Sequence, residues 1–450
     1  MTRVPGFQFD KDSVALLREA LDRLEQGFSH LPAVDPPAGA SHDSANLRRV
    51  LLEVAERMHD NYPYFHPQYA GQMLKPPHPV ARLAYSLAMY INPNNHALDG
   101  GRASSRMEKE AVAEIARMFG WEMHLGHLTA GGTMANLEAL WIAGQLSPDG
   151  VVLASTQAHY THSRISGVLK LPFESVPCNR FARMDLRALE DRLKRGGVGT
   201  VVATLGTTAV GSVDPLPEIL ALRERYGFRL HADCAYGGYY TLASNLAPPA
   251  RAAFDSLGSV DSIVIDPHKH GLQPYGCGCV LFRDPAVGKF YKHESPYTYF
   301  SSGDLHLGEI SLECSRPGAA AVALWATQRL LPLVRGGEFA GMLADCRKAA
   351  LELHARLASD ARFVVAFPPE LDIVVWAVKA QSAAAASERA RLIFSESAAK
   401  GMHLALAELP VTLFHDRGKS LSGNETVACL RSVMMKAEHA GWIERVLQSL

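Results

Sequence analysis

A lysine set between two histidines follows a short apolar run and precedes a Gly-rich turn, in Ser262-IVIDPHKHGLQPYGCGCVLFRD. An amine held there can be desolvated and its pKa lowered, which is what a lysine needs to form an imine with a carbonyl, and Lys269 is the candidate. Upstream, Leu230-HADCAYGG-Tyr239 ends a second apolar run at Asp233, with the small Ala235 and a glycine pair behind it. A carboxylate there can keep a pyridine nitrogen protonated, and a small side chain lets a flat ring lie against the backbone. Earlier still, Leu128-TAGGTMANLEALWIAG is a Gly-Gly turn running into a helix, whose free N–H groups and positive dipole end suit a phosphate. His159, in Ser155-TQAHYTHSRISG, follows another strand and can lie over a ring. Taken singly, these are a solvated lysine, a capping aspartate, a helix cap and a core histidine. Their company along one chain favours the chemical reading.

Elements able to position such residues are visible in the pattern. From about Val112 the chain alternates helical stretches with β-branched runs: VVLAS at 151–155, TVVATLG at 200–206, FRLHADC at 228–234, SIVIDP at 262–267 and CVLFRD at 279–284. That alternation predicts βαβ units and an α/β core with a mostly parallel sheet. Ahead of it, an amphipathic helix is expected over Asp12 to Phe28, then a Pro/Gly/Ala-rich link and a second helix over Ala45 to Asp60. Beyond Trp325 a long helical region through Leu357, a strand pair in FVVAFPPELDIVVWAVKA and an Ala-rich helix near 384–400 predict a smaller α+β domain. The divisions expected are an N-terminal helical arm over 1–75, a large α/β domain over 76–330 and a small C-terminal domain over 331–450.

Composition limits the alternatives. The 450 residues are 48% hydrophobic and 20% charged, and 45 Lys+Arg against 46 Asp+Glu leave a net charge of −1. This excludes a disordered chain and gives no electrostatic reason to expect nucleic acid or an anionic membrane as partner. Seven scattered cysteines form neither a disulfide framework nor a paired zinc pattern, and no run of 18 apolar residues occurs, so a reducing, cytoplasmic location is expected. Cys277 and Cys279 read as small core residues of a strand, and no metal is expected.

In chain order, the GGT helix start, the strand-end His159, the Thr-rich ATLGTTAVGSVDP, the strand-end Asp233 and the DPHK run resemble the group II pyridoxal-phosphate-dependent decarboxylases, the family of aromatic amino acid, tyrosine, histidine and glutamate decarboxylases. The resemblance runs from about Asn61 to Leu330, and more loosely to the C-terminus. It implies a fold type I, PLP-dependent transferase-like architecture with pyridoxal 5'-phosphate as cofactor. Lys269 would form the imine with the cofactor, Asp233 would pair with its ring nitrogen, and His159 would stack on the ring. Gly132, Thr133 and His268 would hold the phosphate, Ala235 would pack on the opposite ring face, and Thr208 would lie beside ring or substrate. Arg431, in Leu430-RSVMM, would meet the substrate carboxylate, whereas Arg316 reads at least as well as a structural residue. Tyr64, Phe65, Tyr69 and His96 are expected either to touch substrate or to pack as an aromatic arm. The family also implies a homodimer with shared sites, the N-terminal arm crossing between subunits.

The expected reaction is decarboxylation of an L-amino acid to its amine and CO2, with an aromatic or imidazole side chain slightly favoured by the aromatics, His96 and Gln72. One departure from the family stands out. Where animal members place a proton-donating tyrosine on a loop before the arginine matched by Arg316, this chain has Leu305 and His306, with Tyr297 and Tyr299 a few residues earlier. If a tyrosine or His306 supplies the proton, the amine results; if nothing does, oxygen can intercept the intermediate and give an aldehyde. An aminotransferase or carbon–carbon lyase on the same fold, and a silent homologue binding a partner, are the other readings. A nicotinamide dehydrogenase lacks its GxGxxG here.

Overall fold

Strands buried on both faces read as continuous apolar runs, and such runs build the centre of this chain. The computed structural model describes residues 13–34, 44–292, 306–414 and 426–450. Seven strands form the large sheet: β1 (Leu125–Thr129), β2 (Val151–Ser155), β3 (Phe173–Val176), β4 (Val198–Thr204), β5 (Arg229–Asp233), β6 (Ser262–Ile265) and β7 (Gly278–Phe282), in the order β1-β7-β6-β5-β4-β2-β3. Pairs from β3 through β6 are parallel, and β7 is antiparallel to both its neighbours. The five runs read as strands are strands. Two more, β1 and β3, were not legible: β1 carries a glycine and a histidine, and β3 exposes Glu174 and Ser175 at the sheet edge.

Parallel strands end on one side of a sheet, so the residues that follow them collect there. The segments after β1, β2, β4, β5 and β6 bring Gly131–Thr133, His159, Thr208, Asp233–Tyr236 and Asp266–Lys269 to one rim.

A second sheet is antiparallel, β10-β11-β9-β8, built from β8 (Phe363–Val365), β9 (Ile373–Val378), β10 (Ala405–Pro410) and β11 (Thr426–Val433). Its two faces separate by residue parity, as pleating demands. Along β9, Ile373, Val375 and Ala377 join the core shared with the large sheet, whereas Val374, Trp376 and Val378 pack with Leu353, Leu357 and Ile443 under the flanking helices. Arg431 has the parity of Cys429 and Val433, which join the shared core, so it is directed towards the large sheet. The expected long helical region is two helices, Gly318–Leu330 and Glu338–Ser359, broken at Pro332 and at Gly336, whose φ of +77° favours glycine. The Ala-rich helix spans Ala383–Ala399, and the two N-terminal helices span Ser13–Gly27 and Ser44–Met58 with no buried residue in either. Among the described residues no helix is long and apolar enough to cross a membrane.

Candidate active site

The sheet rim encloses a cavity of about 430 Å3, walled by Gly131–Thr133, His159, Thr208, Asp233, Ala235 and Lys269. One of its two buried carboxylates is Asp233, at the end of β5. Asp233 Oδ2 accepts from His162 Nε2 at 2.8 Å and faces Asn136 Nδ2 at 3.5 Å, and Oδ1 accepts the Ala235 N–H at 3.1 Å. Burial alone would raise this carboxyl, but the His162 hydrogen bond and nearby imidazoles outweigh it and hold Asp233 well below the usual carboxylate range. A second layer lies behind. His231 shares a face of β5 with Asp233; its Nε2 donates to Asn136 Oδ1 at 2.8 Å and its Nδ1 takes the Ser262 hydroxyl at 2.9 Å. Burial above all lowers His231 to about 3, so it stays neutral and works as a relay of hydrogen bonds. His162, His231 and Asn136 were missed in the sequence. The signal was there for one of them, since a histidine two residues before Asp233 on a strand must face the same way.

Lys269 sits in the turn after β6, its Nζ 3.0 Å from Asp266 Oδ2. Asp266, also unanticipated, lies against the glycine turn: a Cβ on Gly132 would come within 2.6 Å of Asp266 Oδ2, so only glycine leaves the carboxylate its place. The helix Gly132–Leu146 starts at Gly131, and its first-turn amides have no intrahelical acceptor, while Thr133 is open to the cavity. His268 donates from Nδ1 to the Cys277 carbonyl at 2.9 Å, and its Nε2 lies 3.6 Å from Asp266 Oδ2. Burial lowers both His268 and His159, against the opposing effect of the carboxylates, Asp266 on the first and Asp233 with Asp266 on the second. His159 is half-buried, and its Nδ1 accepts the Thr161 N–H at 3.2 Å.

These residues fit pyridoxal phosphate. An ionised carboxylate, a small-residue wall at Ala235, a glycine turn opening a helix, and a lysine amine line one cavity of sufficient size, and Asp233 keeps acceptor capacity on Oδ1 for a protonated ring nitrogen.

The residues expected at the substrate are placed differently. Arg431 is buried, donating from Nε to Ala209 O at 2.9 Å, from Nη2 to Thr208 O at 2.8 Å and from Nη1 to Gly71 O at 3.0 Å and Gln72 Oε1 at 3.3 Å. It braces the Thr208 loop from behind the cavity wall. Tyr64 and Tyr69 form an aromatic cluster with Tyr62 and His403, ring centroids 4.8–6.3 Å apart, outside the cavity lining. Phe65 is exposed on the same arm. His96 lies beside the 306–314 segment, 3.7 Å from the Cys314 thiol. His306 is buried, its Nδ1 accepting the Leu98 N–H at 3.1 Å, and it does not line the cavity, so its placement does not match a proton donor to that cavity. Leu305, Tyr297 and Tyr299 lie outside the described residues. Arg316 is a buried structural residue, 2.8 Å from Glu108 and donating to Leu128 O at 2.6 Å. Cys277 and Cys279 are buried free thiols, pushed up by desolvation, and among the described residues no group of histidine, cysteine or acidic side chains is arranged for a metal.

Comparison with known proteins agrees with this geometry. A relative of known activity, the L-tyrosine decarboxylase of Enterococcus faecium, is 28% identical over 466 aligned positions, covering 78% of this chain and 76% of that protein. The L-aspartate decarboxylase of Thermococcus kodakarensis is 30% identical, covering 65% and 73%. In fold, the chain resembles mouse CSAD in its apo form (TM-score 0.77, 19% identity, 98% of this chain and 99% of that one). It resembles Oryza sativa TDC with PLP and tryptamine equally closely (TM-score 0.77, 18% identity, 98% of both). The family model of the pyridoxal-dependent decarboxylase conserved domain matches residues 140–379, from within the helix Gly132–Leu146 through Asp233 and Lys269 to the end of β9, and with that match over more than half its length the chain belongs to the pyridoxal-dependent decarboxylases, enzymes that remove CO2 from amino acids with pyridoxal phosphate.

Proposed function

We propose that this enzyme converts an L-amino acid with an aromatic side chain to its amine and CO2. The observation that carries the choice is the aromatic approach to the cavity. Tyr275 lies over His268, ring centroids 4.8 Å apart, its hydroxyl donating to Met73 O at 3.1 Å. Burial, with Tyr69 and Tyr64 close enough to act on it, pushes that hydroxyl up to about 12, so it is a neutral donor at the lip. An aromatic substrate ring finds flat partners there. An acidic side chain would need a cation, and Arg431 is already spent on four oxygen acceptors, as Lys436 is on the Tyr69 and Leu74 carbonyls. That the Enterococcus relative acts on tyrosine agrees with the choice.

Bound in the cavity, pyridoxal phosphate supplies an electron sink for the pair left behind when CO2 departs. Asp233, kept ionised by His162 and Asn136, would hold a proton on the ring nitrogen. Lys269, its Nζ 3.0 Å from Asp266 Oδ2, would supply the amine that joins the cofactor, with Asp266 fixing where that nitrogen stands. His159 would cover one face of the ring and Ala235 the other, both orienting it and keeping water off. Thr133 and the amides at Gly132 would bind the phosphate with His268, and Thr208 would stand beside the substrate.

We further infer a homodimer. The helix Ser44–Met58 exposes Leu47, Leu51, Val54 and Met58 along one stripe, and the helix Ser13–Gly27 buries nothing, so both present apolar surface that a second copy would cover. Tyr64, Phe65, Tyr69 and His96 would then reach a substrate through that interface. The test is a panel of tyrosine, tryptophan, phenylalanine, histidine, aspartate and glutamate, followed for CO2, amine and hydrogen peroxide. An aromatic amino acid should lead aspartate by at least about tenfold in kcat/KM without peroxide. Preference for aspartate refutes the substrate assignment, and peroxide with aldehyde refutes the amine product.

A further inference from the structure

Three consecutive buried residues before β9, Glu370, Leu371 and Asp372, each meet a different wall of the cofactor cavity. Glu370 Oε2 accepts the Val213 N–H at 2.9 Å and Arg183 Nε at 3.0 Å, fixing the turn that carries Thr208, which closes on itself through Gly206 N to Ser212 O at 2.9 Å. Leu371 fills the space between two glycines. A Cβ on Gly206 would lie 3.0 Å from Leu371 Cδ1, and one on Gly237 3.1 Å, so the loops after β4 and β5 both press on this side chain. Asp372 Oδ1 accepts the Tyr236 hydroxyl at 2.5 Å, and its Oδ2 lies 3.2 Å from His270 Nε2. Tyr236 follows Ala235 and lines the cavity; His270 follows Lys269.

The Lys269 turn needs such support. It is irregular, with Leu272 at φ +62° and few backbone ties of its own: Lys269 N to Asp266 O at 2.9 Å, His268 N to Cys277 O at 3.1 Å and Gln273 N to Pro267 O at 3.2 Å. His270 is wholly buried, and Asp372 is the carboxylate within ion-pair distance of its ring. Burying Asp372 is itself unfavourable. Desolvation raises its carboxyl, but His270 and the hydroxyls of Tyr236 and Tyr240 outweigh this and keep it ionised, with Arg431 and Lys75 the cations that act on it from the surrounding elements.

We propose that Glu370–Leu371–Asp372 is a clamp through which the small-sheet region sets the cofactor site, with Asp372 the positioning residue that aims Lys269 and the Tyr236 wall. The clamp rests on the reading of Lys269 as the lysine joined to the cofactor. It acts on residues that touch the cofactor and touches none of the reacting atoms itself.

The test uses the full-length holoenzyme and its Asp372→Asn, His270→Gln and Tyr236→Phe variants. Leu353→Ala, on the far face of the small sheet, serves as a purely structural control, and Lys269→Ala as a check on the lysine. The readouts are the visible band of the lysine-bound cofactor and its pH midpoint, the rate at which hydroxylamine removes the cofactor, kcat and KM, and Tm. Asp372→Asn should shift the midpoint by about half a pH unit, speed cofactor loss about tenfold and lower kcat about tenfold with KM within about twofold. His270→Gln and Tyr236→Phe should move the same readings in the same direction by less, and Leu353→Ala should lower Tm and leave band and midpoint in place. A folded Asp372→Asn with wild-type midpoint, cofactor loss and kcat overturns the clamp, whatever its Tm. If that variant does not fold, His270→Gln and Tyr236→Phe decide by the same readings. A borohydride-fixed cofactor retained by Lys269→Ala on another residue sinks the lysine assignment and the clamp with it, whereas a clamp that fails alone shows as wild-type readings in Asp372→Asn with the wild-type cofactor still fixed to Lys269.

Discussion

The two sides of the cavity are built to different standards. On the cofactor side, Asp233 at the end of β5 is held through a chain of further groups, Ser262 to His231, His231 to Asn136, and Asn136 with His162 to Asp233. On the substrate side, the residues with family precedent are scattered. Arg431 is occupied by backbone carbonyls, Tyr64 and Tyr69 stack on their own arm, and His96 belongs to a different loop. The difference teaches that the electron sink is fixed by a rigid sheet, where geometry must hold to a fraction of an ångström, and that selection of the side chain is left to peripheral elements able to vary.

Four experiments break or sharpen that contrast. Asp233→Ala should lower kcat by roughly a thousandfold, because the ring nitrogen loses its carboxylate partner while the cavity survives; a loss under tenfold would remove Asp233 from the cofactor side. If the proposed dimer forms, paired Leu51→Glu and Val54→Glu substitutions should turn it into monomer by sedimentation and lower kcat/KM by roughly a hundredfold, as the second copy's arm is withdrawn. Full activity in a proven monomer would place the substrate side within one chain. Arg431→Lys should raise KM about tenfold with little change in kcat, since a single ammonium cannot brace both Thr208 and Ala209 carbonyls and the Gly71 turn. Equal losses in kcat would instead make Arg431 part of the cofactor side.

The smallest effect is on acid stability. His231 is neutral when folded, its pKa lowered to about 3, whereas in the unfolded chain it takes up a proton near 6.5. The unfolded state therefore binds more protons below pH 6.5, and stability falls as pH drops through that window, by ~2 kcal/mol at pH 5 for this one group. His231→Gln should flatten the difference between pH 7 and pH 5 in denaturant melts by about that amount. An unchanged slope would show that the relay behind Asp233 is already protonated. His439, also lowered to about 3, keeps part of the slope in either protein.

How much could be read from sequence follows the same division. The DPHK and HADCAYGG runs placed Lys269, Asp233, Ala235 and His268 at one cavity because each is local to a strand end, and strand ends of a parallel sheet converge by rule. The supporting residues were harder, since Asn136 and His162 come from helices and meet Asp233 only through packing that no local pattern encodes. Two strands escaped notice for their composition, and the break at Pro332 and Gly336 was overlooked within a helix-rich stretch. Asp372 looked like one acid in a short β run; its contacts lie across the chain, at Tyr236 and His270.

The antiparallel β7 has a consequence for the order of assembly. The turn bearing Lys269 joins β6 to β7 directly and can form from neighbouring chain, but among the described residues β1, which leads into the Gly131–Thr133 turn, pairs only with β7 at the far end of the domain's sequence. The first strand synthesised is thus the last that can dock, because its partner does not exist until most of the sheet has been made. Phosphate turn and lysine become neighbours at that closing step. Tight retention of the cofactor is then a report that the ribosome's earliest strand has found its place, and a nascent chain shorter than β7 has no complete pocket to offer.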